Sequence, residues 1–172
     1  MPLRLTLVAI LGAFVAVGCA TRPLPTPEPT YADKVIVEKS ARRLRLMNNG
    51  DAFREYRVSL GGNPIGHKVR EGDQRTPEGD YLLNWRNPNS RFHKSIHISY
   101  PNQQDIQFAR YLGHNPGGLI MIHGLPNHIV SEQVRREYIG RDWTDGCIAV
   151  TNEEMDEIWN LVRDGTPIRI LP

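Results

Sequence analysis

The stretch Arg43-Leu44-Arg45-Leu46-Met47-Asn48-Asn49-Gly50-Asp51-Ala52-Phe53-Arg54-Glu55-Tyr56-Arg57-Val58-Ser59-Leu60 decides the fold class. Apolar and charged residues alternate over Arg43–Met47. Asn48-Asn49-Gly50-Asp51 is a turn signal, and Phe53–Leu60 alternates again. A period of two on both sides of an Asn-Gly turn reads as a β-hairpin or meander. Outward from it lie further strand-like runs. They are Lys34–Lys39, Tyr81–Trp85, Ser95–Tyr100, the apolar run Leu119–Ile122 and the last stretch Thr166–Leu171. Two short helices are expected. One covers Val130–Ile139. The other follows Thr151-Asn152-Glu153-Glu154, where Thr151 and Glu154 have capping-box spacing. In it Met155, Ile158, Trp159 and Val162 form one stripe, with Gly165 as the stop. The expected fold is mainly β, a β-sandwich or open barrel with about two short helices.

The composition agrees with one domain. The chain has 172 residues, 40% hydrophobic and 23% charged, with a net charge of +2. So small a net charge gives no electrostatic footprint for nucleic acid, and none is expected as partner. Fifteen Gly and 13 Pro favour a turn-rich β domain over a helical bundle. The two cysteines, Cys19 and Cys147, sit in unrelated settings. Neither a disulfide framework nor a cysteine zinc site is expected.

The first residues read as a processing segment. Arg4 precedes an uncharged, mostly apolar run from Leu5 to Ala20 that is short for a membrane span, which needs about 20 residues. Ala16-Val17-Gly18-Cys19 resembles a bacterial lipobox. That makes residues 1–18 a signal peptide and Cys19 the lipidated first residue of the mature chain. Ala20, not Asp, follows the cysteine, so a periplasmic lipoprotein anchored in the outer membrane is expected. Residues 19–30 hold proline at every second position from Pro23 to Pro29, a semi-rigid extended spacer. Residues 31–172 form the domain.

Two residues carry candidate chemistry. Cys147 lies in Thr144-Asp145-Gly146-Cys147-Ile148, between a glycine turn and the capped helix, where backbone N–H groups can form an oxyanion site. A free thiol, with pKa about 8.5, needs a base to act as nucleophile near neutrality. His123, at the end of an apolar strand and followed by Gly124, is the candidate base, by proton abstraction or as a standing thiolate–imidazolium pair. On these features alone, an inert buried Cys and a surface His remain the alternative. His93 and His97 share one face of an expected strand, as a wall of the cleft or a metal pair lacking a third ligand. His114 and His128 read as loop residues. Trp143 either lines a groove or packs under the cysteine turn. Arg42, Arg43 and Arg45 read as a solvated charged face.

Four motifs occur in order: Gly61-Gly62-Asn63-Pro64-Ile65-Gly66-His67-Lys68, Arg75-Thr76-Pro77-Glu78-Gly79-Asp80-Tyr81, Ile120-Met121-Ile122-His123-Gly124 and Thr144-Asp145-Gly146-Cys147-Ile148. Together they resemble the L,D-transpeptidase catalytic domain family (YkuD type), over roughly Lys34 to Pro172. The resemblance implies an L,D-transpeptidase-like β-sandwich or open barrel. It implies Cys147 as nucleophile and His123 as proton acceptor and donor. Gly146 and the Cys147 amide fall at the oxyanion site; Gly124, Thr144 and Asp145 from the motifs, with His97 from the strand-face reading, complete the expected oxyanion and substrate-binding set. It implies peptidoglycan stem peptides as substrate, a Cys thioester intermediate and no metal or organic cofactor. The thioester passes to an amine, or to water in an L,D-carboxypeptidase or amidase. A lipid-anchored wall-binding module without activity is the non-enzymatic alternative. Asp145 stands where many members have His, and Ala149 where many have Arg or Asn. A long insert separates His123 from Cys147, a candidate lid or substrate wall.

Overall fold

The computed structural model describes residues 30–172. The expected signal peptide, the expected lipidation site Cys19 and nearly all of the expected spacer lie outside the described residues.

Eight strands make one mixed sheet in the order β3-β2-β1-β8-β4-β5-β6-β7. They are β1 (Lys34–Glu38), β2 (Arg43–Asn48), β3 (Asp51–Arg57), β4 (Gly79–Ser90), β5 (His93–Ile98), β6 (Met121–His123), β7 (Ile148–Ala149) and β8 (Thr166–Leu171). The opening stretch forms the hairpin β2–β3, with Asn48 opposite Asp51 and a register shift between Leu46 and Met47. That shift is why the second half of the stretch does not alternate cleanly. Strands β1 and β8 pair in parallel, as do β6 and β7; the other pairs are antiparallel.

The sheet curls into a half-barrel, and its two edges meet. The expected strand over Phe53–Leu60 ends at Arg57, and the chain then turns towards the opposite edge. Ser59 and Ala149 exchange two backbone hydrogen bonds, both 2.8 Å. The inward faces supply the core, including Val35, Val37, Leu44, Leu46, Leu83, Ile96, Ile98, Ile122, Ile168 and Ile170. Each fully buried aliphatic side chain of this kind stabilises by about 1.5–3 kcal/mol.

Three helices, not two, accompany the sheet. Helix α3 (Asn152–Leu161) has the expected capping box: Thr151 Oγ1 accepts from the Glu154 amide, and the Glu154 carboxylate accepts from the Thr151 amide. Met155 and Ile158 are buried beneath it, and Val162 is its buried C-cap. Trp159 is only half-buried at the rim of the core, and the Arg86 guanidinium lies over its ring, 5.0 Å from the centroid. The helix ends at Leu161, before Gly165. Helix α2 (Glu132–Tyr138) falls inside the expected Val130–Ile139 span but buries none of its residues. Helix α1 (Gln103–Tyr111) was not expected. Pro101-Asn102 reads as a strand end, yet Asn102 and Asp105 close a full capping box. Strand β4 outruns the expected Tyr81–Trp85 to reach Ser90, with register shifts that accommodate Asn87-Pro88-Asn89.

Candidate active site

Three of the four sequence motifs converge beneath the Cys147 turn. Gly61 bridges Thr144, and the Gly62 amide donates to the Thr144 carbonyl at 2.9 Å. The Gly61 amide donates to Thr76 Oγ1 at 3.1 Å, and Thr76 is wholly buried. Backbone packs against backbone here. A Cβ on Gly61 would lie 2.1 Å from the Gln74 carbonyl oxygen. A Cβ on Gly146 would lie 2.5 Å from the Arg75 carbonyl oxygen, and its φ of +127° is one that L side chains rarely adopt. Glycine at both positions is thus a steric requirement for placing the thiol.

Thr144 clamps the turn. Its hydroxyl donates to the Cys147 carbonyl at 2.8 Å and accepts from the Gly146 amide at 3.1 Å. The Gly146 amide is therefore occupied, which removes it from the expected oxyanion pair. The Cys147 amide has no hydrogen-bond acceptor among the described residues. The Met121 amide donates to Cys147 Sγ at 3.4 Å. Leu119 precedes it with φ of +56° and lies 71% exposed, so the expected buried strand Leu119–Ile122 shortens to begin at Met121.

His123 ends β6, and its imidazole is buried. Nδ1 lies 2.7 Å from the Gly124 carbonyl oxygen. A carbonyl only accepts, so Nδ1 carries the proton and, in the neutral ring, Nε2 is left with a lone pair. Gly124 acts on the site by holding that ring. Phe92 packs against the imidazole at 4.6 Å between centroids and Trp143 at 5.7 Å. Trp143 therefore both lines the site and packs in it; its buried Nε1 has no partner among the described residues.

Cys147 and His123 line one cavity of about 270 Å³ with Ser90, Arg91, Phe92, Ser95, Leu119, Met121, Trp143, Thr144 and Asp145. Burial sets the charge state of both. It pushes the His123 pKa down to about 4, against the Gly124 hydrogen bond. It pushes the Cys147 thiol up, with the Met121 amide opposing, Asp145 reinforcing and Lys68 opposing. The resting pair is thus a neutral thiol and a neutral imidazole, which replaces the standing ion pair as the starting state.

Of the expected residues, Thr144, Asp145 and Trp143 line the cavity, while His97, His93 and helix α2 do not. His97 lies outside its lining; it stacks on Trp85 at 4.8 Å and meets Asn84 Oδ1 at 2.7 Å through Nδ1. His93 starts β5 with φ of +66° and meets Asp156 at 2.6 Å. The two rings have separate partners, so they form neither a cleft wall nor a metal pair. Helix α2 does not line the cavity either; Tyr138 reaches it only by packing on Trp143, 5.0 Å between centroids. The arginines expected on a solvated face are paired: Arg42 with Asp142, and Arg43 and Arg45 with Glu38. Arg91 and Phe92 line the cavity without any sequence signal, because a turn has no periodicity to read, and Ser95, in β5, gave only a strand signal. The profile of the L,D-transpeptidase catalytic domain (YkuD) matches residues 32–170.

The chain belongs to the L,D-transpeptidase catalytic domain family.

The family's mixed half-barrel recurs in solved relatives. An L,D-transpeptidase from Xylanimonas cellulosilytica superposes with a TM-score of 0.52 at 17% identity, covering 86% of this chain and 64% of that one. The helical cell shape determining protein Pgp2 from Campylobacter jejuni gives a TM-score of 0.57 at 26% identity, covering 80% of this chain and 46% of that one. By sequence the chain is 34% identical over 109 residues to YafK of Escherichia coli K12, itself described as a candidate L,D-transpeptidase. That match spans 62% of this chain and 36% of YafK, so the chain corresponds to about a third of this relative. A family of L,D-transpeptidases supports a peptidoglycan-modifying role in general terms.

Proposed function

We propose that this L,D-transpeptidase domain is a cysteine acyltransferase acting on peptidoglycan stem peptides. The observation that carries the reading is the His123 ring, its Nδ1 proton held by the Gly124 carbonyl, in one cavity with the Cys147 thiol. Nε2 takes the thiol proton as Sγ attacks the carbonyl of a diaminopimelate residue. The C–N bond to the terminal D-alanine breaks, and the imidazolium returns its proton to the leaving amine. A Cys147 thioester remains. The Cys147 amide serves the oxyanion. The thioester then passes to an acceptor amine, giving a cross-link between stems or a protein attached to the wall. The chemistry needs no cofactor. Likeness to Pgp2 extends the proposal to a part in cell shape.

The amino-terminal segment belongs to the same proposal. Cleavage before Cys19 and its lipidation anchor the domain to the periplasmic face of the outer membrane, with residues 19–30 as spacer. An acyl mass on the native protein that is lost in Cys19→Ala supports the anchor; an unacylated native protein overturns it.

Incubation with purified muropeptides and mass analysis of the products tests the reaction. Joined stems support transfer. Shortened stems replace it with L,D-carboxypeptidase action, and protein stumps freed from the wall replace it with amidase action. Unchanged muropeptides overturn the enzymatic reading in favour of a wall-binding module.

A further inference from the structure

The cavity wall holds two charged side chains, Arg91 and Asp145, in addition to His123 and Cys147. Both are exposed at its mouth. Neither has an ion-pair or side-chain hydrogen-bond partner among the described residues, whereas half of the other arginines there are ion-paired. They come from different elements. Arg91 sits in the turn between β4 and β5, and Asp145 in the turn before β7. In the sheet order β5-β6-β7, the strand carrying His123 runs between them. The rest of the lining around the thiol is largely apolar: Phe92, Leu119, Met121 and Trp143. An unpaired cation and an unpaired anion from turns of two different strands, lining one apolar-walled cavity, complement a ligand that presents both charges.

We propose that Arg91 and Asp145 form a two-charge subsite that reads a free α-amino-acid head group, its carboxylate on Arg91 and its ammonium on Asp145. The inference rests on the acyltransferase reading above and names what the substrate must display. A diaminopimelate residue in a stem peptide keeps such a head group on its distal carbon, whereas a lysine residue offers only the ammonium. The guanidinium suits a carboxylate because its fork donates two parallel hydrogen bonds. Asp145 has a second consequence. Its charge helps hold the thiol pKa up, and an ammonium seated on it offsets that charge, so a matched substrate eases the loss of the Cys147 proton.

Ala149 is buried and closes the sheet against Ser59. Arg91, from another strand turn, is the arginine that lines the cavity.

Binding to the full chain carrying Cys147→Ala, measured by calorimetry, separates the subsite from turnover. Three muropeptide tetrapeptides serve as probes: one with the distal diaminopimelate head group free, one with its carboxyl amidated and one with its amine acetylated. The free form is expected to bind about 10-fold tighter than either modified form, as for loss of one charge-assisted contact. Adding Arg91→Gln removes the preference over the amidated form only, and adding Asp145→Asn removes the preference over the acetylated form only. Iodoacetamide labelling of Cys147 in the single variant Arg91→Gln, unchanged from the parent, shows that the cavity is intact. Equal binding of all three probes, or no binding of any, overturns the subsite. Selective binding together with a parent protein that leaves every probe unprocessed overturns the acyltransferase reading and leaves the subsite standing.

Discussion

Two concavities on this domain each contain a buried or half-buried histidine, and they are built on opposite plans. The larger, of about 600 Å³, is lined by His67, Glu78, Asp80, Asp105 and Arg169 among others. Every one of those groups is engaged. His67 Nδ1 accepts from the Glu78 amide at 3.0 Å, and Nε2 meets Asp105 at 3.2 Å. Asp105 also accepts from the Tyr81 hydroxyl at 3.1 Å and the Asn102 amide at 2.8 Å. Arg169 pairs with Asp80, and Lys39 with Glu78. In the smaller cavity His123 has one nitrogen fixed and the other uncommitted, beside a thiol. A polar network satisfied on all sides stabilises a fold, whereas chemistry needs groups held in place with one valence left over. Size alone points to the wrong concavity.

The largest expected difference between them is in rate. His123→Ala is expected to lower muropeptide turnover by about 10²–10⁴-fold, the usual cost of losing a general base. His67→Ala is expected to leave the rate in place and instead lower stability by about 1–3 kcal/mol, because the buried Asp105 loses a partner. Paired measurements of kcat and of urea unfolding on both variants check this. Equal rate losses would erase the distinction.

The second difference is in pH. Burial holds the folded His123 pKa near 4, below its ordinary value of 6.5. The unfolded chain therefore binds more protons than the fold between those values. Stability contributed by this group is full above about pH 6.5 and lost as pH falls towards 4, up to about 3 kcal/mol. His123→Gln is expected to flatten that part of the stability profile, read from urea midpoints across pH. In the parent protein the acid limb of kcat/KM for the proposed reaction is expected near pH 4, since Nε2 accepts a proton only above it.

Smaller effects sharpen the contrast further. Thr144→Val removes both the clamp on the Cys147 carbonyl and the acceptor of the Gly146 amide. A loss of about 1–3 kcal/mol is expected, with a fall in the Cys147 alkylation rate. Tyr81→Phe removes one bond to Asp105 on the other side of the domain. It is expected to cost about 1 kcal/mol with alkylation unchanged. Thermal melts and iodoacetamide kinetics on the same samples separate these outcomes.

The strands and α3 were legible because each carries a local pattern: a short β-branched run in β1, alternation in β2 and β8, a capping box and stripe in α3. Helix α1 was hidden behind Pro101, although Asn102 and Asp105 have the same capping spacing as Thr151 and Glu154. Strand β4 was cut short because Asn87-Pro88-Asn89 looks like a turn. Its bulged register absorbs those residues. At the site, the chemical residue types of Cys147 and His123 drew the reading, but the neutral state of the pair depends on burial by Phe92 and Trp143, which no local pattern encodes. His97 misled because face alternation places a residue on a side of a sheet, not in a particular cavity. The roles of the amides at the Cys147 turn depended on the Thr144 hydroxyl, whose hydrogen bond to the Gly146 amide is a matter of ångströms rather than of residue type.

The paired bonds between Ser59 and Ala149 make the half-barrel a ring with a latch. Ala149 follows Cys147 by one intervening residue, so the latch and the thiol are mechanically one object. Opening it would expose two strand edges to neighbouring chains and, in the same movement, release the backbone that aims the sulfur. The amide protons of Ser59 and Ala149 should then exchange with solvent only as slowly as the core itself. A ring that stays shut lets the domain present the Cys147 sulfur without presenting a sticky edge.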